Sequence, residues 1–198
     1  MFPLAGSGRF DSRSWFMIIG DQIRFRAIEK EDLPNFVTWL NDPEVRHGLS
    51  LILPLSLAEE EDWFGEMLKK SPFERPLAIE IQPDPQKDIW SFVGNCGLFG
   101  IDWQNRSAEI GIHIGEKKYW DQGFGTKAMC LALKHGFENL NLHRLWLRVF
   151  ETNQRAIRSY EKAGFILEGK FRQAQYLDGI YVDVMIMSVL KSEWKNQQ

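Results

Sequence analysis

The order of hydrophobic patterns along this chain predicts a layered α/β domain built on a mixed, mostly antiparallel sheet. Apolar patterns of period 2 and period 3.6 follow one another as β-α-α-β-β-β-α-β-α-β-β, about seven strands and about four helices. Short polar turns join the middle strands, as antiparallel neighbours require, and helices separate the later ones, as crossovers require. No repeat, low-complexity segment or linker divides the 198 residues. A single domain over 21–195 is therefore expected, behind a loose arm at 1–20 rich in Gly, Ser and Arg.

Ile23 to Ile28 alternates apolar and polar, the pattern of a half-buried strand. Leu33, Phe36, Val37 and Leu40 then recur at helical spacing, with Pro34 in the tolerated first turn, and Asn41-Asp42-Pro43 stops that helix. Ser56 is the expected N-cap of a second helix, with Glu59 to Glu61 in its acidic first turn and Trp63, Phe64, Met67 and Leu68 as its apolar stripe. Strands follow at Leu77–Ile81, Trp90–Ile101 and Ala108–Ile114, turning at Pro83–Asp88 and Asn105-Arg106. A helix over Thr126–Asn139 leads to a strand at Leu145–Val149. A shorter helix over Gln154–Ala163 stops at Gly164. Phe165–Phe171 and Tyr181–Leu190, joined through Asp178-Gly179, close the chain as strands.

Composition excludes several classes of function. A net charge of -3 leaves no electrostatic footprint for nucleic acid or an anionic membrane. No run approaches the roughly 18 apolar residues of a membrane span, and Trp15–Ile19 is too short for a signal peptide. Met17 is read as an alternative start, since the periodic sequence begins just after it. Cys96 and Cys130 are too few and too far apart for a disulfide framework or a zinc site, so the chain is read as cytoplasmic, with no metal. Eight tryptophans and fourteen phenylalanines favour an aromatic-rich core over an aromatic-lined pocket.

Chemistry concentrates at Gln122-Gly123-Phe124-Gly125-Thr126, between a strand and a helix. Two glycines at a helix start let backbone N–H groups approach an anion with no Cβ in the way. Gly123-x-Gly125-x-x-Ala128 spells a dinucleotide fingerprint, yet Gly115 to Gln122 separates it from its strand. The position about 20 residues on, where an acid would hold a ribose, is His143-Arg144. Gly125-Thr126-Lys127 lacks the order of a nucleotide P-loop. Glycines that merely close a tight turn remain an alternative.

The run from Glu116 to Ala128 resembles the acyl-CoA pyrophosphate loop of the GNAT family of N-acetyltransferases, in its ribosomal-protein-alanine/spermidine acetyltransferase-like branch. That loop reads R/Q-x-x-G-x-G/A. Its glycines fall on Gly123 and Gly125, and its first position falls on Trp120. Asn153 to Phe165 is similar to the family's N-x-x-A-x-x-x-Y-E-K-x-G-F. Leu40–Val45, Leu55–Phe64 and the Asp178–Asp183 turn look like further elements of the same branch. The resemblance covers about residues 23 to 194 and implies the GNAT fold.

It also implies acetyl transfer from acetyl-CoA directly to a primary amine. The acceptor would be a protein N-terminus, a polyamine, an aminoglycoside or another small amine. Neither cysteine offers the activated thiol of a covalent route. Backbone groups of Gln122, Gly123, Phe124, Gly125 and Thr126 would bind the cofactor's pyrophosphate, and those of Ile112, His113 and Ile114 its arm, where the strand parts from its neighbour. Asn153, Arg155 and Ala156 would form the rest of the cofactor site, although Asn153 also suits a helix cap and Arg155 a free surface position. Tyr160 would be the general acid, against plain core packing as its alternative. Glu109 would be the base, against a solvated or salt-bridged carboxylate. The acceptor is expected between Trp39, Trp63 and Phe64 and the Asp178 turn, in acidic surroundings that suit a cation. A homodimer is compatible with the sequence, and the rival reading is a catalytically silent acyl-CoA-binding sensor or scaffold.

Overall fold

Alternation of side chains decides which face each strand buries. The computed structural model describes residues 18–49 and 53–194; the expected arm upstream of residue 18 and the start at Met17 lie outside these residues. The strands are β1 (Ile18–Gly20), β2 (Ile23–Ala27), β3 (Leu77–Ile81), β4 (Ser91–Asp102), β5 (Ser107–Ile114), β6 (Arg144–Phe150), β7 (Ile166–Leu177) and β8 (Ile180–Leu190). The helices are α1 (Leu33–Leu40), α2 (Pro43–Arg46), α3 (Leu57–Lys69), α4 (Phe124–Lys134) and α5 (Gln154–Lys162). One sheet holds all eight strands in the order β1-β2-β3-β4-β5-β6-β8-β7. Every neighbouring pair is antiparallel except β5 and β6, which run parallel.

The sheet has one strand more than the seven expected. Ile18–Gly20 pairs with Ile23–Phe25 through a tight turn, so the last residues of the predicted arm belong to the sheet. Three residues carry too little periodicity to be recognised as a strand. One helix is also additional. Asn41-Asp42-Pro43 ends α1 as expected, but the Asp42 side chain accepts from Glu44 N and Pro43 opens α2, because proline suits a first helical turn. The predicted helix 126–139 is α4 followed by a wider π turn over His135–Asn139.

One face of the sheet packs on α4 and α5. Ala108, Ile110, Leu145 and Leu147 meet Ala128, Met129, Leu133, Ile157 and Tyr160 there. On the other face α1–α3 cover Ala78 and Phe92 with Leu33, Phe36, Trp39 and Met67. Trp63 and Phe64 pack into this second cluster too, with Phe36 edge-on to Trp39, Trp63 and Phe92. Of the aromatic residues expected around the acceptor, Trp39 is thus a core residue, and Trp63 and Phe64 are partly buried against it. Ser56 caps α3 as predicted: its Oγ accepts from Glu59 N, and the Glu59 carboxylate accepts from Ser56 N at 2.8 Å. Among the described residues no helix is long and apolar enough to cross a membrane.

Candidate active site

The parallel pair β5 and β6 is the origin of the site. Only Ser107, Ala108 and Glu109 pair with Arg144, Leu145 and Trp146; beyond Glu109 the two strands part. A cleft of about 340 Å³ opens along the separation. It is lined by Glu109 to Ile114 on one side, Arg148 and Val149 on the other, and the starts of α4 and α5. Val45, Gly48 and Leu49 line it as well.

Strand geometry tells which backbone groups face this cleft. Gly115 N donates to Val93 O on β4, and a Cβ on Gly94 would strike the His113 carbonyl oxygen. The main chain of His113 therefore points toward β4. By alternation, that of Ile110, Ile112 and Ile114 points into the cleft. The Ile114 carbonyl is taken, accepting from Trp120 Nε1 at 2.8 Å. His113 thus offers its ring rather than its backbone, contrary to the sequence expectation. That ring meets Trp39 edge-on at 6.0 Å, and its Nε2 is buried with no partner among the described residues. Burial pushes its pKa down to about 4, so it stays neutral at physiological pH.

The glycine turn folds as its chemistry demands. Gly123, at φ 83°, is the N-cap of α4, and a Cβ there would meet no protein atom within 4 Å. A side chain would stand in the cleft itself. Gly125 and Thr126 line the same wall, and Thr126 Oγ1 lies 2.9 Å from Ser159 Oγ, joining α4 to α5. Gln122 turns its amide back to Lys118 O, and the Phe124 side chain is buried in the core, so only their main chains are available to a ligand. Lys127 points away, bonded to Asp21 and Gln22.

Asn153 accepts from Ala156 N at 3.1 Å, capping α5 at the edge of the cleft. Ala156 lies half-buried beside it. Arg155 places its guanidinium 3.4 Å from the centre of the Trp120 ring. Arg158 and Lys162, one and two turns further on, line the cleft as well, so α5 presents a basic stripe to the α4 N-terminus. Tyr160 sits between the stripe and the core at 9 % exposure, and burial raises its phenol above the usual value. It remains protonated throughout the physiological range.

Glu109 lines the cleft where the strands separate, and its carboxylate accepts from Arg148 Nε at 2.8 Å and Nη2 at 3.1 Å. Cys96 is buried and its thiol is pushed up to about 12, far from a nucleophilic thiolate. Among the described residues no three His, Cys, Asp or Glu side chains gather as metal ligands.

Sequence reasoning named Tyr160, Glu109, Asn153 and the glycine turn, and all of these line or border this one cleft. It missed Arg148, Arg158, Ser159 and Lys162. The α5 stripe was legible as helical spacing from Arg155; the partner of Glu109 was not, since it lies on another strand.

A helix N-terminus with bare N–H groups, a left-handed glycine beside it, a basic stripe opposite and a parted strand edge fit an anionic cofactor with a long polar arm. Residues 22–166 match the family described as the acetyltransferase (GNAT) domain. The chain belongs to the GNAT acetyltransferase family. It is similar to the spermidine N(1)-acetyltransferase of Vibrio cholerae, 31% identical over 180 residues, which are 90% of this chain and 99% of that one. It is also similar to the putative ribosomal N-acetyltransferase YdaF of Bacillus subtilis, 33% identical over 54% of this chain and 58% of that one. A crystal structure of the Vibrio cholerae spermidine N-acetyltransferase, in complex with CoA and spermine, superposes with a TM-score of 0.76. It is 29% identical and covers 87% of this chain and 97% of that one. This GNAT protein is an acetyl-CoA-dependent N-acetyltransferase.

Proposed function

We propose that this GNAT enzyme acetylates a small polycationic amine of the polyamine class, by direct transfer. The observation that carries the acceptor is its likeness, over nearly the full length of that protein, to a spermidine acetyltransferase. The charges around the cleft agree with it. Glu109 lines the cleft, and Asp178 at the tip of the β7–β8 turn reaches to 3.4 Å from His47 after α2. Carboxylates in this region favour a cation over a neutral amine.

Bound acetyl-CoA supplies the acetyl group as a thioester open to attack by an amine. The chain's own residues do the rest. N–H groups from Gln122 to Thr126, at the positive end of α4, bind the anionic end of the cofactor. The N–H of Ile112, on the free edge of β5, binds its arm and polarises the acyl oxygen. Asn153 and Ala156 hold the opposite wall. Tyr160 keeps a proton on its hydroxyl, and is the donor to the departing sulfur. Glu109, fixed by Arg148, takes the proton of the amine at its carboxylate, directly or through water.

A thiol-release screen with acetyl-CoA tests the acceptor. Spermidine and spermine should react faster than aminoglycosides, free amino acids or peptide N-termini. A clear preference for N-terminal peptides, or CoA binding with no release from any amine, would overturn the proposal.

A further inference from the structure

Beside Glu109 the sheet carries a group of side chains that acetyl transfer leaves unused. Phe99 on β4 pairs with Glu109 on β5, so its ring and the carboxylate stand on the same face of the sheet. A Cβ on Gly97 would meet Phe99 Cζ at 3.0 Å, and one on Gly111 would meet Phe99 Cε2 at 2.9 Å. The ring therefore lies across these two glycines as an apolar floor, and it is still 37 % exposed.

This floor leads away from Glu109 to a corner with both rings and charge. After Phe99 the ladder is interrupted, Gly100 takes φ 56°, and Ile101 N leaves the sheet to donate to Glu74 Oε1 at 3.0 Å. Glu74 ends the single turn Pro72–Glu74 after α3, and its second oxygen has no partner among the described residues. Phe73 of that turn meets Trp103 edge-on, with ring centres 5.5 Å apart and the two residues 53 % and 50 % exposed. Asp102 holds the turn that carries Trp103, its carboxylate accepting from Asn105 N at 2.8 Å and Nδ2 at 2.7 Å. Arg75, the next residue after Glu74, donates to Lys70 O and Leu68 O and leaves the carboxylate alone. Aromatic side chains exposed singly are ordinary. Two rings set nearly at right angles beside a fixed carboxylate are the surroundings an ammonium group favours.

Distance narrows the ligand. Asp102 pairs with Ser107, two residues along β5 from Glu109, and Trp103 lies one residue further. At about 3.3 Å per residue, the corner is about 10 Å from Glu109. An extended chain advances about 1.2 Å per bond, so a second ammonium about eight bonds from the reacting nitrogen reaches it. Resting on the polyamine reading above, we propose that Phe73, Glu74 and Trp103 form a subsite for the distal ammonium of the acceptor, whose methylene chain lies on Phe99. The enzyme then selects amines by the spacing of their charges, with one nitrogen at Glu109 and another in the corner.

Steady-state acetylation of a series of terminal diamines, from diaminopropane to diaminodecane, tests this beside spermidine and hexylamine. The kcat/KM of the unsubstituted chain should climb along the series and level off where the nitrogens are about eight bonds apart. Phe73→Ala and Trp103→Ala should each raise KM for spermidine about five- to tenfold with kcat within about twofold, and Trp103→Phe should keep most of the affinity. Glu74→Gln, which keeps an acceptor for Ile101 N, should raise it about fivefold. Hexylamine has no second charge, so its kcat/KM should be equal in all these chains, and calorimetry with CoA should show the cofactor site intact in each. The proposal falls if the diamine series is flat, or if the variants slow hexylamine as much as spermidine. It falls too if Asp178→Asn carries the loss for spermidine and Trp103→Ala does not. In each of those results spermidine is still acetylated and the polyamine reading stands. No thiol release from spermidine or any diamine by the unsubstituted chain would overturn that reading and the subsite with it.

Discussion

Glu109, the last paired residue of β5, and Arg148, two residues beyond the last paired residue of β6, are joined by two hydrogen bonds, at 2.8 and 3.1 Å. The bridge replaces main-chain pairing at the point where the cleft begins. It also holds the carboxylate in one orientation within the cleft. Arg148→Ala should therefore free the carboxylate from that orientation and lower kcat/KM, and Glu109→Gln should lower turnover about 10²-fold. Unchanged turnover in Glu109→Gln would show that the carboxylate does not take the proton.

Tyr160→Phe removes one hydroxyl from a site that otherwise keeps its shape. Turnover should fall about 10²-fold or more, while CoA affinity stays within a few-fold. Stopped-flow thiol release with calorimetry in parallel separates the two effects. Equal turnover would return Tyr160 to a core-packing role.

Two buried groups give stability opposite dependences on pH. Burial pushes Glu60, 5 % exposed on α3, up to about 7 from 4.5, so the folded chain keeps a proton that the unfolded chain releases. Its contribution is complete below about pH 4.5 and is lost as pH rises to about 7. His113 is pushed down to about 4 from 6.5, so the unfolded chain takes a proton that the folded chain refuses. Stability is lost as pH falls between those values. Glu60→Gln should raise stability at pH 8 by about 1–2 kcal/mol. It should also leave a steady loss below pH 6.5, measured by urea unfolding across the range. No gain at pH 8 would contradict the assignment.

Trp39 lies directly on Gly115, and a Cβ there would overlap the indole ring. Gly115→Ala must displace a side chain that is 7 % exposed in the second core. Overpacking of this kind costs about 1–3 kcal/mol. Thermal unfolding should show it, and Gly65→Ala, where a Cβ meets nothing within 4 Å, should not.

Asn153→Ala should cost about 1 kcal/mol of stability through the lost cap on Ala156 N. Asn153→Asp keeps that acceptor. A loss of CoA affinity in both variants, with stability lost only in the first, would assign Asn153 a contact to the cofactor beyond its cap.

Much of the fold follows from short-range rules that act within a few residues. The Ser56 cap, the glycine turn at the start of α4 and the period of most strands and helices are local and were legible. Local rules fail where a signal is short or ambiguous. Ile18–Gly20 is too brief to show a period, and Pro43 reads as a stop although it also starts α2. Trp39, Trp63 and Phe64 illustrate a different limit. Sequence marks them as aromatic, but whether such residues line a pocket or fill a core depends on what α1 and α3 cover.

By itself, the sequence determined the layered α/β architecture, the glycine turn at Gln122–Thr126 and the helix that carries Asn153, Arg155 and Tyr160. Tertiary structure alone decided where β5 and β6 part, that Arg148 meets Glu109 across 39 positions of chain, and that Trp120 supports Arg155. The physical reason is range. Helix caps and periodicity are settled by neighbours along the chain, whereas a cleft and its charges arise only when distant segments are brought together by burying a common core.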